Sequence, residues 1–411
     1  MTPSTADLAL WTDWLTLAAI PQVGRRRLWQ LITALGSPGE VLRASPRALR
    51  TAEGVDEVTV NSIVEHRDTL DLRPEAEAIA AMGARLIPFT DPGYPRALRA
   101  MDDPPPLLHV LGELEPLDEV GIAIVGSRNM TDYGRQMTEA IAGDLAEAGV
   151  TVISGFATGV DGAAHRAALE RGGRTLAVLG AGLDIVYPST HRRLRQRVAE
   201  SGALISEYRL GAAPRAEHFP ERNAVLAGLA QGVVVVEAGE KSGALITATR
   251  AAELGRPVFA VPGDATRANS RGVNRLIQEG ARLVMSAEDV LADMRGLLRG
   301  LLSELGGEAA LGAEGASPDP PPVPSAVLEA LDEEERGLFT RIQGGAVQLD
   351  TLMRGLDPDQ RAALPMHLMN LQLHGLIAEL PGKRYTACPS SASLETRAAG
   401  PTPPLNSEDH G

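Results

Sequence analysis

Seven apolar runs between Gly121 and Ser286, each closing on a loop of small or basic residues that opens a helix, constrain this chain more than any other feature. They are GIAIVG from Gly121, TVISG from Thr151, RTLAVLG from Arg174, ALISEY from Ala203, VVVVEA from Val233, PVFAVP from Pro257 and RLVMS from Arg282. Continuous rather than alternating hydrophobicity is the mark of strands buried on both faces, hence of a parallel sheet covered by helices. In an open sheet of that kind ligands bind at the carboxyl ends of the strands. Those ends carry GSR, SGFATG, GAG, EAGEKSG and PGD, so several small-residue loops face one crevice suited to a phosphate-bearing ligand.

The 411 residues allow two or three domains, and 44% hydrophobic content can fill a core. No run reaches the roughly 18 apolar residues of a membrane span. The first residues, MTPSTADLALWTDWL, carry acids instead of a basic leader, so the chain is read as soluble and cytoplasmic, with no stable membrane insertion. Cys388 is the only cysteine, which excludes disulfides within the chain and argues against a thiol nucleophile or zinc cluster. The net charge of −14 seems to oppose a nucleic-acid partner, yet Glu119 to Arg295 holds 20 basic and 20 acidic residues. A local basic groove is compatible with that distribution. Only two lysines occur, Lys241 and Lys383, and the first stands inside a glycine-rich strand-end loop.

Residues 1–80 read as a helical domain. IPQVGRRRLWQLI from Ile20 and AEGVDEVTVNSIVEHR from Ala52 each set a Gly between helices, as a helix-hairpin-helix or SAM-like head does. Such turns hold DNA phosphates or merely pack, and Arg25, Arg26 and Arg27 favour phosphate. Residues 81–298 are expected to form an extended Rossmann-like doubly wound domain with its core at 119–298, the proline-rich segment before Leu117 extending the sheet. A Gly, Ala and Pro-rich linker follows at 299–325. Residues 326–387 pattern as three helices and a hairpin turning at Pro381-Gly382, suggesting a winged helix. The polar members of the third helix are His367, Asn370, Gln372 and His374, without Arg, so docking or packing is as good a reading as DNA contact. The tail 388–411 is polar and expected to be disordered.

At the strand ends, GSRNMTDYG offers the Ser127 hydroxyl, the Arg128 fork and helix amides to a phosphate, but it is not the dinucleotide fingerprint GxGxxG. SGFATGVDGAAHRAAL places Asp161 and His165 one helical turn apart, where they are expected to pair. HFPERN puts Phe219, Arg222 and Asn223 at a helix start. The ring is either a base-stacking platform or core. EAGEKSGALIT brings Lys241, Ser242, Gly243 and Thr247 to another helix start, without the spacing of a triphosphate-hydrolysing loop. PGDATRANSRGVN adds Arg267, Arg271 and Asn274. No catalytic set assembles, and neither a metal nor a cofactor is expected.

The ordered motifs GSRNMTDYG, SGFATGVDGAAH, GAGLDIVYP, HFPERN, EAGEKSGALITA, VFAVPG and GVNRLIQEGA closely resemble the DNA-processing protein A family, also called DprA or Smf. The resemblance runs from about Tyr94 to Asp289. It implies a homodimeric single-stranded DNA binder of natural transformation that protects incoming strands and loads the recombinase RecA onto them. It is not an enzyme on this reading. The implied DNA pocket comprises Ser127, Arg128, Gly155, Gly159, Phe219, Arg222, Asn223, Lys241, Ser242 and Gly243. The family pattern FPxRNR is broken at Ala224, and Arg215 stands where an upstream basic residue is expected. The rival is a nucleotide-binding enzyme or sensor of the phosphoribohydrolase kind, whose PGGxGTxxE loop is replaced here by EAGEKSGALIT.

Overall fold

The structure, a computed structural model, describes residues 3–304, 331–343, 347–353, 358–374, 376–380 and 384–387. Two compact units divide the chain, Met1–Gly312 and Ala313–Gly411. The helix Ala287–Glu304 runs into the start of the expected linker, whose remainder lies outside the described residues, as do Gly375, Pro381-Gly382 and the tail.

All seven predicted runs are strands of one sheet. They are β3 (Gly121–Val125), β4 (Thr151–Ser154), β5 (Thr175–Leu179), β6 (Ala203–Ser206), β7 (Gly232–Val235), β8 (Val258–Ala260) and β9 (Arg282–Leu283). The proline-rich segment supplies β1 (Ala84–Pro88) and β2 (Leu107–Gly112), which extend the sheet antiparallel from β6. The order is β1-β2-β6-β5-β4-β3-β7-β8-β9, with β3 to β9 parallel. Every residue of β3, β4, β5, β6 and β7 is buried. Strand β9 departs from the expectation of burial, because both its residues are exposed on a two-residue edge strand.

Side chains divide by parity. Ile122 and Ile124 of β3 join one face with Val152 and Val234, while Ala123 and Val125 join the other with Val233 and Val235. Burying each of these Val and Ile side chains stabilises the fold by about 1.5–3 kcal/mol. Helices Asp132–Glu147, Val160–Glu170 and Ala287–Glu304 cover the first face around β3, and helices His218–Leu229 and Gly243–Glu253 cover the second. The head consists of helices from Thr5–Ala19 to Arg73–Ala81. Its core, with Trp14, Leu31 and Ile63, continues without a break into Leu86, Leu107, Leu179 and Leu204 of the sheet.

The second unit holds helices Glu333–Gln343, Leu349–Met353 and Pro358–Leu373 with strands β10 (Val347–Gln348), β11 (Ile377–Leu380) and β12 (Arg384–Ala387). These strands form an antiparallel sheet ordered β10-β12-β11. Phe339, Ile342, Leu352, Leu368, Leu371 and Tyr385 share its core.

His109 and His165 are fully enclosed in the first unit, 1% and 0% exposed. Burial pushes the His109 imidazole down to about 4, and burial assisted by His191 pushes His165 down to about 3. Both are therefore neutral in the fold but titrate at an ordinary pKa when unfolded. Their contribution is full above about pH 6.5 and is lost as pH falls below it, because the unfolded chain then binds the extra protons. Urea unfolding should show roughly 1 kcal/mol lost per histidine between pH 6.5 and 5.5. Stability flat across that interval would contradict their burial as neutral groups.

Candidate functional site

Strand order reverses at β3, with β4 on one side and β7 on the other, and ligands of doubly wound sheets bind beside that reversal. A cavity of about 410 Å³ opens there, lined by the loops after β3, β4 and β7 and by the helix His218–Leu229. One buried carboxylate locks two of those loops. Glu237 accepts from the Thr131 amide at 2.8 Å and from the Thr131 hydroxyl at 2.5 Å. The same hydroxyl oxygen accepts from Gly134 N at 3.1 Å, capping the helix Asp132–Glu147. Glu237 is thus a structural clamp rather than an acid–base group, and Asp264 is occupied by the amide and hydroxyl of Thr266 at 2.9 and 2.7 Å.

The floor is a buried charge arrangement. Arg222 is 5% exposed, donating from Nη1 to the Val178 carbonyl at 2.6 Å and to the Gly155 carbonyl, and from Nε to Asn223 Oδ1 at 3.0 Å. Asp161 faces it, also buried, accepting from the Ala157 amide at 3.2 Å. Burial pushes the Arg222 pKa down while Asp161 opposes the shift, and burial pushes Asp161 up while Arg222 opposes it. A side chain at Gly155 would stand 2.6 Å from Asp161 Oδ2 and 2.7 Å from Arg222 Nη2, so only glycine fits between them. Arg222, expected in the DNA pocket, is therefore largely committed inward.

Above the floor the groups are free to meet a ligand. Arg128 is exposed, with its guanidinium carbon 4.9 Å from the Phe219 ring centroid, and Arg222 approaches the same ring at 5.9 Å. Phe219 is half-buried and lines the cavity, which removes it from the core. Lys241 is exposed and lines the cavity, and beside it Ser242 caps the helix Gly243–Glu253 by accepting from Ala244 N at 3.3 Å. The Cβ direction of Gly243 meets nothing within 4 Å, and the Gly243 carbonyl accepts from Asn223 Nδ2 at 3.2 Å. Ser127 and Thr247 complete the lining named from sequence.

Three predicted residues stand elsewhere. Gly159 has φ +79°, and a Cβ there would lie 2.2 Å from the Ser127 carbonyl oxygen, so it shapes the loop from behind. Asn274 brackets Gly263, accepting from its amide at 3.1 Å and donating to its carbonyl at 2.9 Å. Arg215 is exposed and outside the lining. The expected Asp161–His165 pair does not form. His165 Nδ1 meets the Thr175 hydroxyl at 2.6 Å instead, because Asp161 turns to Arg222. Asp161 itself was the missed pocket residue, and its signal was an acid in the first turn after a glycine loop.

A larger hollow of about 710 Å³ joins the two hairpin glycines, Gly24 and Gly54, with Arg25, Arg26 and Arg27. Its arginines are mostly spent. Arg25 pairs with Glu207 and Arg27 with Asp56 at 2.8 Å, while Asp103 and Glu221 add negative charge to the wall. The strand-end cavity is the better anion site of the two.

Among the described residues no helix is long and apolar enough to cross a membrane. The family model of DNA recombination-mediator protein A matches residues 85–295. Protein Smf of Synechocystis is 32% identical over 93% of this chain and 99% of its own length. DNA processing protein DprA of Streptococcus pneumoniae is 45% identical over 49% of this chain and 72% of its own. The X-ray structure of that S. pneumoniae DprA matches with a TM-score of 0.60 and 33% identity, covering 71% of this chain and 98% of the other. With the sheet order, the strand-end cavity and these likenesses agreeing, the chain belongs to the DNA-processing protein A (DprA/Smf) family.

Proposed function

We propose that the strand-end cavity holds the backbone of single-stranded DNA with one base against Phe219, and that the chain is a binder without catalysis of its own. The observation that carries this reading is the Arg128 guanidinium poised 4.9 Å from the Phe219 ring centroid, with Lys241 in the lining of the same cavity. A cation beside a half-buried ring matches the two demands of a single strand, neutralised phosphate and a stacking surface. Asp161 is the one carboxylate among the described lining residues, and its electrostatic partner is Arg222, which leaves no second acid for hydrolysis.

In the cell, this activity serves DNA processing in transformation. The chain acts as a homodimer that shields incoming strands and loads the recombinase RecA onto them, and family membership supports that assignment. The C-terminal helices and sheet make a winged-helix-like module. Its third helix uses Asn370 to hold Glu335 at 3.0 Å, favouring packing over base reading.

The test is binding of fluorescent oligo-dT and of a duplex of equal length at two salt concentrations. Wild type should prefer the single strand, with a log–log salt slope of about −0.7 per phosphate neutralised. Arg128→Ala and Lys241→Ala should each weaken binding to every sequence and make the slope shallower by roughly 0.7 to 1 unit. An unchanged slope would remove those side chains from the backbone contact.

Phe219→Ala separates stacking from charge. It should cost about 1–3 kcal/mol of binding with little change in salt slope. A fall in thermal stability with unchanged affinity would instead return the ring to a packing role.

A further inference from the structure

We propose that Asp332, Glu335 and His367 form a binding site for a divalent cation of the zinc class within the C-terminal unit. Asp332 and Glu335 flank the start of the helix Glu333–Gln343, and His367 comes from the helix Pro358–Leu373. One ligand atom from each lies within 4.8 Å of the other two.

The helix start uses only half of each carboxylate. Asp332 Oδ1 accepts from Glu335 N at 2.7 Å, and Glu335 Oε2 accepts from Asp332 N at 3.2 Å, a reciprocal cap. The second oxygens, Asp332 Oδ2 and Glu335 Oε1, turn towards His367 Nδ1 at 3.8 and 3.7 Å. Those separations are too long for hydrogen bonds. They suit ligands sharing a cation at about 2.1 Å, which stand about 3.4 Å apart in a tetrahedron.

The imidazole supplies the independent observation. His367 is 8% exposed, and its Nδ1 is buried with no hydrogen-bond partner among the described residues, a rare and costly state for a polar atom. Its other nitrogen, Nε2, lies 3.1 Å from Glu334 Oε2. With the proton on Nε2, the Nδ1 lone pair faces Asp332 Oδ2 and Glu335 Oε1, the arrangement of a carboxylate–histidine–metal relay. Asn370 Nδ2 donates to Glu335 Oε1 at 3.0 Å and orients the second ligand. Asp332 is exposed and gives a cation its way in. One imidazole and two carboxylates are a three-ligand set that leaves a position for water. The bound cation would clamp the two helices together.

Zinc-stripped full-length chain should be dialysed against buffered Zn²⁺ and the bound metal counted, beside His367→Gln and Asp332→Asn. Asparagine caps a helix as well as aspartate, so the second variant keeps the fold while removing an anionic ligand. Wild type should take up one equivalent per chain more than either variant, or bind it 10- to 100-fold more tightly, and zinc should raise the melting temperature of wild type alone. Equal uptake by wild type and a folded Asp332→Asn chain would overturn the site.

Discussion

Taking one guanidinium out of water organises the strand-end cavity. Arg222 sits where a charge is expensive, and the fold meets that cost with the Val178 and Gly155 carbonyls, the Asn223 amide and the Asp161 carboxylate. Each partner comes from a different element, so the pocket floor exists only when β4, β5 and the helices Val160–Glu170 and His218–Leu229 are already assembled. The glycine at 155 is then a consequence of that closeness, since two opposite charges meet across the space where its side chain would be.

That buried arrangement divides the labour of the positive residues. Arg222 fixes the platform, while Arg128 and Lys241 remain exposed at its mouth. Glu237 serves the same end from the other side by tying Thr131 to the end of β7, holding the Arg128 loop at a set height. The carboxyl edge of the sheet is therefore tied by internal hydrogen bonds below and carries exposed cations above.

How much of this could be read beforehand follows from the range of the interactions. Strands β3 to β8 were legible because two-sided burial writes itself into consecutive residues, and the loops because glycine and hydroxyl residues cluster at strand ends. The extension of the sheet by β1 and β2 was legible from the proline-rich segment that holds them. What sequence reading missed depends on partners far along the chain. Arg222 was expected to face a ligand, and only the carbonyls of residues 155 and 178 explain its inward turn. Asp161 and His165 share a helix face, yet Asp161 turns to Arg222 and His165 to Thr175 of β5. Asn274 looked like a ligand residue and proved to be a brace for Gly263. His367 was similarly placed among helix polar residues, because its acidic neighbours belong to another helix.

The continuity of the head's core with the sheet has a consequence for how the chain is put together. Trp14, Leu31 and Ile63 share one apolar body with Leu86, Leu107 and Leu204, so the head is a layer of the sheet's own packing, not a bead on a tether. Peeling it away would strip the cover from β2 and β6 and leave an oily flank in water. The helical head is thus as much the sheet's waterproofing as a module with business of its own.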